Sequence, residues 1–194
     1  MDIEEAKRRL LDAAEAEFYE RGIQAVGMDA IRARSSVSLK RLYQCFPSKE
    51  SLVEAYLLRR DERWRRELAD HVTAAATTPE QAPLAVFDWL HEWFRRPGFR
   101  GCAFINSFGE LGSGSARVAA AARRHKDAVR GYLRELSENA GAADPDLLAE
   151  QLLTLVEGAT VVAAMSDDPT VARTSRAAAR TLLAATPRRS PRTP

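Results

Sequence analysis

MDAIRARSSVSLKRLYQCFPSKE, residues 28–50, reads as two short helices joined by a tight turn, with Pro47 as a stop and a further helix opening behind it. Ile31 and Val37 are spaced to meet across that turn, and Leu42 and Phe46 extend the apolar side at i, i+4. Ser38 suits the N-cap of the second short helix, because its hydroxyl accepts from an amide the helix leaves unpaired. The same helix carries Lys40, Arg41, Tyr43 and Gln44 away from its apolar side. Short, capped and basic, it has the form of the recognition helix of a helix-turn-helix.

Charge supports that form. Residues 28–49 hold Arg32, Arg34, Lys40, Arg41 and Lys49 against Asp29 alone, a local charge of +4 in a chain whose net charge is only +2. A basic patch on an otherwise near-neutral protein is the electrostatic footprint of a nucleic-acid surface, although a solvated basic face gives the same count. At 194 residues the chain can bury one substantial core, or two small ones that share a long helix. Its 45% apolar and 29% charged residues fit a globular protein, and the scarcity of β-branched runs favours an all-α fold. No unbroken apolar run approaches the roughly 18 residues that span a bilayer, and MDIEEAKRRLL lacks the apolar region of a signal peptide. Cys45 and Cys102 sit in unrelated contexts, so a reduced, cytoplasmic protein is expected.

Outward from the central stretch, Asp2 and Glu5 form a capping-box pair for a first helix with Ile3, Leu10, Ala14 and Phe18 on its apolar side. Gly22 ends that helix, being free to take positive φ. The first helix and the two short ones predict a trihelical head with Phe18, Ile31, Val37, Leu42 and Phe46 as its core. Ser48 caps a fourth helix running to about Thr73, and a connection over 74–83 follows. Further helices are expected at about 84–96, 102–111, 116–139, 145–165 and from Asp168-Pro169 to about Thr186, making about nine in all. The proline-rich basic tail, 187–194, is expected to be disordered.

From Leu10 to Leu52 the chain resembles the DNA-binding head of the TetR family of bacterial transcription regulators. The residues that carry the match are Ala13, Ala14, Phe18, Gly22, Ile31, Val37, Ser38, Leu42-Tyr43, Phe46, Ser48-Lys49-Glu50 and Leu52. Three positions depart from the family pattern. Val26-Gly27 stands where a Ser or Thr cap is usual, Ser35-Ser36 where Ala-Gly is common, and Lys40-Arg41 where a small Gly-Thr pair is found. The resemblance implies a DNA-binding domain at 1–47 and a helical ligand-binding and dimerisation domain at 48–186.

On that reading the DNA-binding candidates are Arg32, Arg34, Ser38, Lys40, Arg41, Tyr43, Gln44 and Lys49. Lys40, Arg41 and Gln44 are long enough to reach base edges, and the Arg41 fork suits guanine. Tyr43 and Lys49 resemble the family's phosphate contacts, and Lys49 has a helix N-terminus behind it. One such module binds weakly, so a homodimer on a palindromic double-stranded operator is expected, with the eighth and ninth helices as its interface. Leu148, Leu152, Leu155, Ala159 and Val162 form one apolar stripe there, widened by Leu147, Val156 and Ala163, and Ala177, Ala178, Leu182 and Leu183 give the ninth helix a small, close-packing side.

Helices five to seven are rich in aromatic residues, with His91, Asn106, Glu110 and His125 interleaved. An apolar cavity with sparse polar anchors is the form of a small-molecule site. Phe87, Leu90, Phe94, Phe104, Phe108 and Val129 are its candidate lining, and each also fits plain core packing. His71, His91, His125 and Cys102 are too dispersed for a metal site, and no cofactor is called for. Cys45 lies among basic residues that favour a thiolate, yet next to Phe46, which points to burial. No nucleophile elbow, paired-carboxylate motif or phosphate loop suggests an enzyme. The reading is a ligand-responsive DNA-binding repressor released by a small apolar or aromatic effector. The alternative is a helical small-molecule-binding or interaction module that lacks sequence-specific DNA binding.

Overall fold

The computed structural model describes residues 1–189. Among them are nine α-helices: α1 (Ile3–Arg21), α2 (Met28–Ser35), α3 (Leu39–Cys45), α4 (Lys49–Ala75), α5 (Ala82–Phe94), α6 (Ala103–Leu111), α7 (Ala116–Asn139), α8 (Pro145–Ser166) and α9 (Val171–Ala185). They divide into two compact units. The first holds residues 1–63 and 102–125, and the second holds 64–101 and the described part of 126–194. Helices α4 and α7 therefore contribute residues to both, and the unit containing the head extends well past residue 47.

In the first unit α1 starts on the Asp2 carboxylate, which accepts from the Glu5 amide at 2.8 Å, and it ends at Gly22 with φ of 86°. Helices α2 and α3 both pack on α1. Phe18, Ile31, Val37, Leu42 and Phe46 are all buried, joined by Leu10, Leu52, Val53, Tyr56 and Leu57. Ile3, expected on the apolar side, is exposed, and Ala6 takes the buried position in the first turn of α1. A carboxylate cluster ties α4 to α1. Glu15 takes Arg59 at 3.0 Å, Arg60 at 2.9 Å and also Arg63, while Arg59 reaches Asp12 at 2.7 Å. The Arg60 guanidinium lies 4.0 Å over the Tyr19 ring.

In the second unit α5, α8 and α9 pack on one another around Phe87, Leu90, Leu148, Leu152, Val156 and Ala179. Asp144 caps α8 through the Leu147 amide at 3.0 Å, with Pro145 in the first turn. Three expectations are corrected here. Helix α5 begins at Ala82, two residues early, because Pro83 is tolerated within the first turn, where its missing amide is not needed. Helix α9 begins at Val171, after Asp168 has drawn the Thr170 amide into a turn at 2.8 Å. Residues 187–189 are paired rather than disordered: Ala143 donates to Pro187 O at 2.8 Å and Arg189 to Gly141 O at 3.0 Å, around an antiparallel bridge between Ala142 and Arg188. Residues 190–194 of the expected tail lie outside the described part. Helix α8 is long and apolar enough to cross a membrane by length and composition, at mean hydropathy 1.5, which counting unbroken runs had missed. It also holds Glu150 and Glu157, and its inner face carries much of this unit's core.

Candidate nucleic-acid interface

The turn between α2 and α3 is closed by serines. Ser35 Oγ donates to Arg32 O at 3.1 Å and accepts from the Val37 amide at 3.3 Å. Ser36 follows in the left-handed region, with φ 55° and ψ 28°, as the absent glycine required. Ser38 then caps α3, its Oγ accepting from the Arg41 amide at 3.3 Å. Gly27 holds the cap position of α2 with extended backbone and no side-chain bond. Both departures from the usual pattern are thus absorbed without loss of the two-helix geometry.

With Leu42 fully buried on one side of α3, its other side is open. Lys40 and Gln44 are exposed, Arg41 is half-buried, and Tyr43 is 47% exposed. Leu39, which the sequence reading passed over, is also 47% exposed and lies one turn from Tyr43 on the same side. A leucine at the start of a recognition helix offers an apolar contact to a thymine methyl. Its only signal in the sequence is that Leu42 already fills the inward position.

The candidate cations divide sharply by partner. Among the described residues Lys40 and Arg41 have no ion-pair partner, and both stand on α3. Arg32 leans on Asp29 at 3.5 Å and stays exposed. Arg34 points the other way: its guanidinium donates to Glu17 Oε1 at 2.8 Å. Glu17 is buried on α1 and takes Arg21 on its second oxygen at 2.8 Å. The hydrogen bonds from Arg21 and then Arg34 hold the Glu17 carboxyl below the usual carboxylate range. Arg34 therefore fastens α2 to α1.

Lys49 is the first residue of α4, which Ser48 caps by accepting from the Ser51 amide at 3.1 Å. The open amides of that turn and the helix dipole favour a phosphate there. Burial pulls the Lys49 ammonium down from its ordinary value, and the charge of Glu110 opposes this. Cys45 goes up, because burial outweighs Lys7 and Arg41, so the basic surroundings do not make it a ready thiolate.

The six candidate effector contacts are divided between the two units. Phe87, Leu90, Phe94 and Val129 belong to the core of the second unit. Phe104 belongs to the first unit, stacked on buried His125 with centroids 3.7 Å apart, and Phe108 there is 50% exposed. Much of the aromatic concentration is consumed in packing. Trp64, Trp89, Trp93, Phe94 and Phe99 form one continuous cluster with centroid separations of 4.8–5.6 Å. The interleaved histidines have structural partners, His125 on Asp61 at 2.7 Å and His91 on Pro169 O at 2.9 Å.

A capped, basic helix held outward by a three-helix core defines a helix-turn-helix DNA-binding protein. The sequence profile of bacterial regulatory proteins of the tetR family matches residues 10–56, which cover α2, α3 and most of α1. A TetR-family transcriptional regulator from Streptomyces coelicolor, known from its crystal structure, is 30% identical with a TM-score of 0.87, over 94% of this chain and 96% of that one. A putative regulator of the same family from Streptomyces avermitilis is 29% identical with a TM-score of 0.76, over 90% and 98%. The HTH-type transcriptional regulator YjdC of Escherichia coli K12 is 26% identical over 140 residues, 71% of this chain and 72% of the relative. The chain belongs to the TetR family and is a transcriptional regulator. Regulators of this family bind DNA as dimers and respond to small-molecule effectors.

Proposed function

We propose that this chain is a cytoplasmic, ligand-responsive repressor that grips a palindromic double-stranded operator as a homodimer. The observation that carries the reading is the α3 surface, where Lys40 and Arg41 stand without ion-pair partners among the described residues while the neighbouring arginines are engaged. Lys40, Arg41 and Gln44 read base edges in the major groove, and Leu39 adds an apolar contact. Tyr43 and Lys49 take phosphates, with Ser38 fixing the start of α3. Arg32 flanks the groove. Arg34 acts on DNA only by holding α2 in place.

Dimerisation is assigned to α8 and α9, through residues other than the inner stripe. Leu148, Leu152, Val156, Ala159 and Ala163 are already buried within one chain. Leu147, Val161, Val162 and Met165, the last 83% exposed, remain on α8 for a partner, with Ala177 and Ala184 exposed on α9. We assign effector binding to the second unit, where an apolar or aromatic compound enters by loosening the packing around Phe87, Leu90 and Phe94. Release of DNA then follows from differential affinity for two states.

The test is a mobility shift on the DNA upstream of the chain's own coding region across a salt series. Sequence-dependent binding that weakens with salt supports the reading, and binding blind to sequence at every salt refutes it. Arg41→Ala should relax preference at one operator position, at a cost of about 1–3 kcal/mol there. The alternative, a module that no longer reads DNA, needs the missing cap and turn glycine to disturb the two-helix geometry. Both positions nevertheless adopt the required backbone.

A further inference from the structure

Within the first unit, a single carboxylate on α6 reaches back to the segment that leads into the helix-turn-helix. Glu110 Oε1 accepts from the Ile23 amide at 3.1 Å and Oε2 from the Gln24 amide at 2.8 Å. The Gln24 side chain returns the contact, its Nε2 donating to Glu110 O at 2.6 Å. Two consecutive backbone donors on one carboxylate make a directional, charge-assisted clamp. Gly22 is built for it twice over. Its positive φ of 86° turns the following amides, and a Cβ there would stand only 3.2–3.3 Å from both Glu110 oxygens.

The clamp sits where packing is incomplete. A cavity of about 360 Å³ opens beside it, lined by Ile23, Val53 and Leu111 together with Lys49, Glu50 and Ser115. At its edge Ser115 Oγ donates to Glu50 Oε1 at 2.5 Å. The corner formed by α6 and the start of α7 thus holds the α1–α2 connection through Glu110 and the first turn of α4 through Ser115. These attachments flank the recognition helix in the chain, and their hydrogen bonds add direction to the packing that Ile23, Val53, Phe104 and Val118 share in one buried cluster. Glu110 also supplies the opposing charge for half-buried Lys49.

We propose that Glu110 is a positioning residue for DNA recognition. By holding Ile23 and Gln24 it sets α2 and α3 against Lys49, and so governs how sharply operator is told from other DNA. The inference rests on the DNA-binding reading above. Without the carboxylate the connection loosens, which weakens contacts that need registry. Lys49 meanwhile loses its counter-charge, which strengthens sequence-blind attraction to phosphate. The two effects push the ratio of specific to non-specific affinity the same way.

The experiment compares wild type with Glu110→Gln on two duplexes of roughly 30 base pairs, long enough for two half-sites a turn apart. One is enriched by the wild-type protein from a random pool and the other is its scrambled counterpart. The ratio of affinities should fall about tenfold, with binding to the scrambled duplex unchanged or tighter. The Ile23 and Gln24 amides should also exchange hydrogen faster while those in the middle of α1 do not. A merely structural loss would weaken both duplexes in proportion and leave the ratio intact; that result overturns the proposal. Should Glu110→Gln not fold, Gln24→Ala removes only the returning bond and is judged by the same ratio. If the wild-type protein enriches no sequence, the DNA-binding reading itself fails. If it discriminates and the variants discriminate equally, only the role of Glu110 does.

Discussion

Two cations that look alike in the sequence, Arg34 and Lys49, have opposite duties. Arg34 is bound to a buried carboxylate on α1, whereas Lys49 stands at a helix N-terminus, where the charge of Glu110 acts on it without a direct ion pair. Lys49→Ala should therefore weaken all DNA sequences alike and reduce the slope of log affinity against log salt by about one. Arg34→Ala should lower the melting temperature and leave that slope where it was. Equal slopes for the two variants would dissolve the distinction. Ser36 yields a test of a different kind. A non-glycine residue in the left-handed region costs about 1–2 kcal/mol, partly offset by the entropy glycine loses on folding, so Ser36→Gly should gain up to about 1 kcal/mol. Thermal unfolding measures it, and a lower melting temperature would show that the Ser36 side chain contributes more than its backbone costs. The backbone strain was legible beforehand, because a turn of this shape needs the left-handed conformation whichever residue stands there. The Arg34 partner was not, since nothing local links residues 17 and 34.

At the scale of elements, the ends of helices were the most readable feature. Asp2, Ser38, Ser48 and Asp144 each cap through an amide three residues on, so the whole interaction lies within one short stretch of chain. Helix-to-helix fastening was opaque for the opposite reason. Glu15 on α1 meets Arg59, Arg60 and Arg63 across 44–48 residues of sequence. Burial works against the Glu15 charge, but the bond and charge of Arg63, with Arg60 and Arg59, win and hold its carboxyl below the ordinary range. Glu17 is held low as well. A carboxylate depressed in the folded state contributes stability that is complete above its unfolded value and drains away as pH falls through the folded one. The head should therefore lose stability below about pH 5, and replacing both residues by glutamine should flatten that acid limb. Chemical denaturation at a series of pH values decides it. An unaltered acid limb in the double variant would mean other carboxylates govern it.

At the scale of the molecule the aromatic wealth of residues 84–111 was visible, but its purpose was not. Composition counts rings without saying whether they enclose space or fill it, and here Trp89, Trp93, Phe94 and Phe99 fill it. The apolar stripe of α8 had the same ambiguity. Most of it closes the core of one unit, which leaves Leu147, Val161, Val162 and Met165 as the surplus. Met165→Glu should accordingly turn a dimer into a monomer in sedimentation, with helicity unchanged and operator affinity down at least about a hundredfold, because one recognition helix binds weakly alone. A variant that stayed dimeric would move the interface elsewhere.

The tryptophan cluster has a consequence for observation. All three indoles of the chain, at residues 64, 89 and 93, lie in the second unit, within about 6 Å of one another, and none lies in the head. Emission excited at the red edge of the absorption band is consequently a signal from one half of the molecule, coloured by transfer among neighbouring rings. A compound that prises those rings apart announces itself in that light, while a head that melts on its own does so unseen.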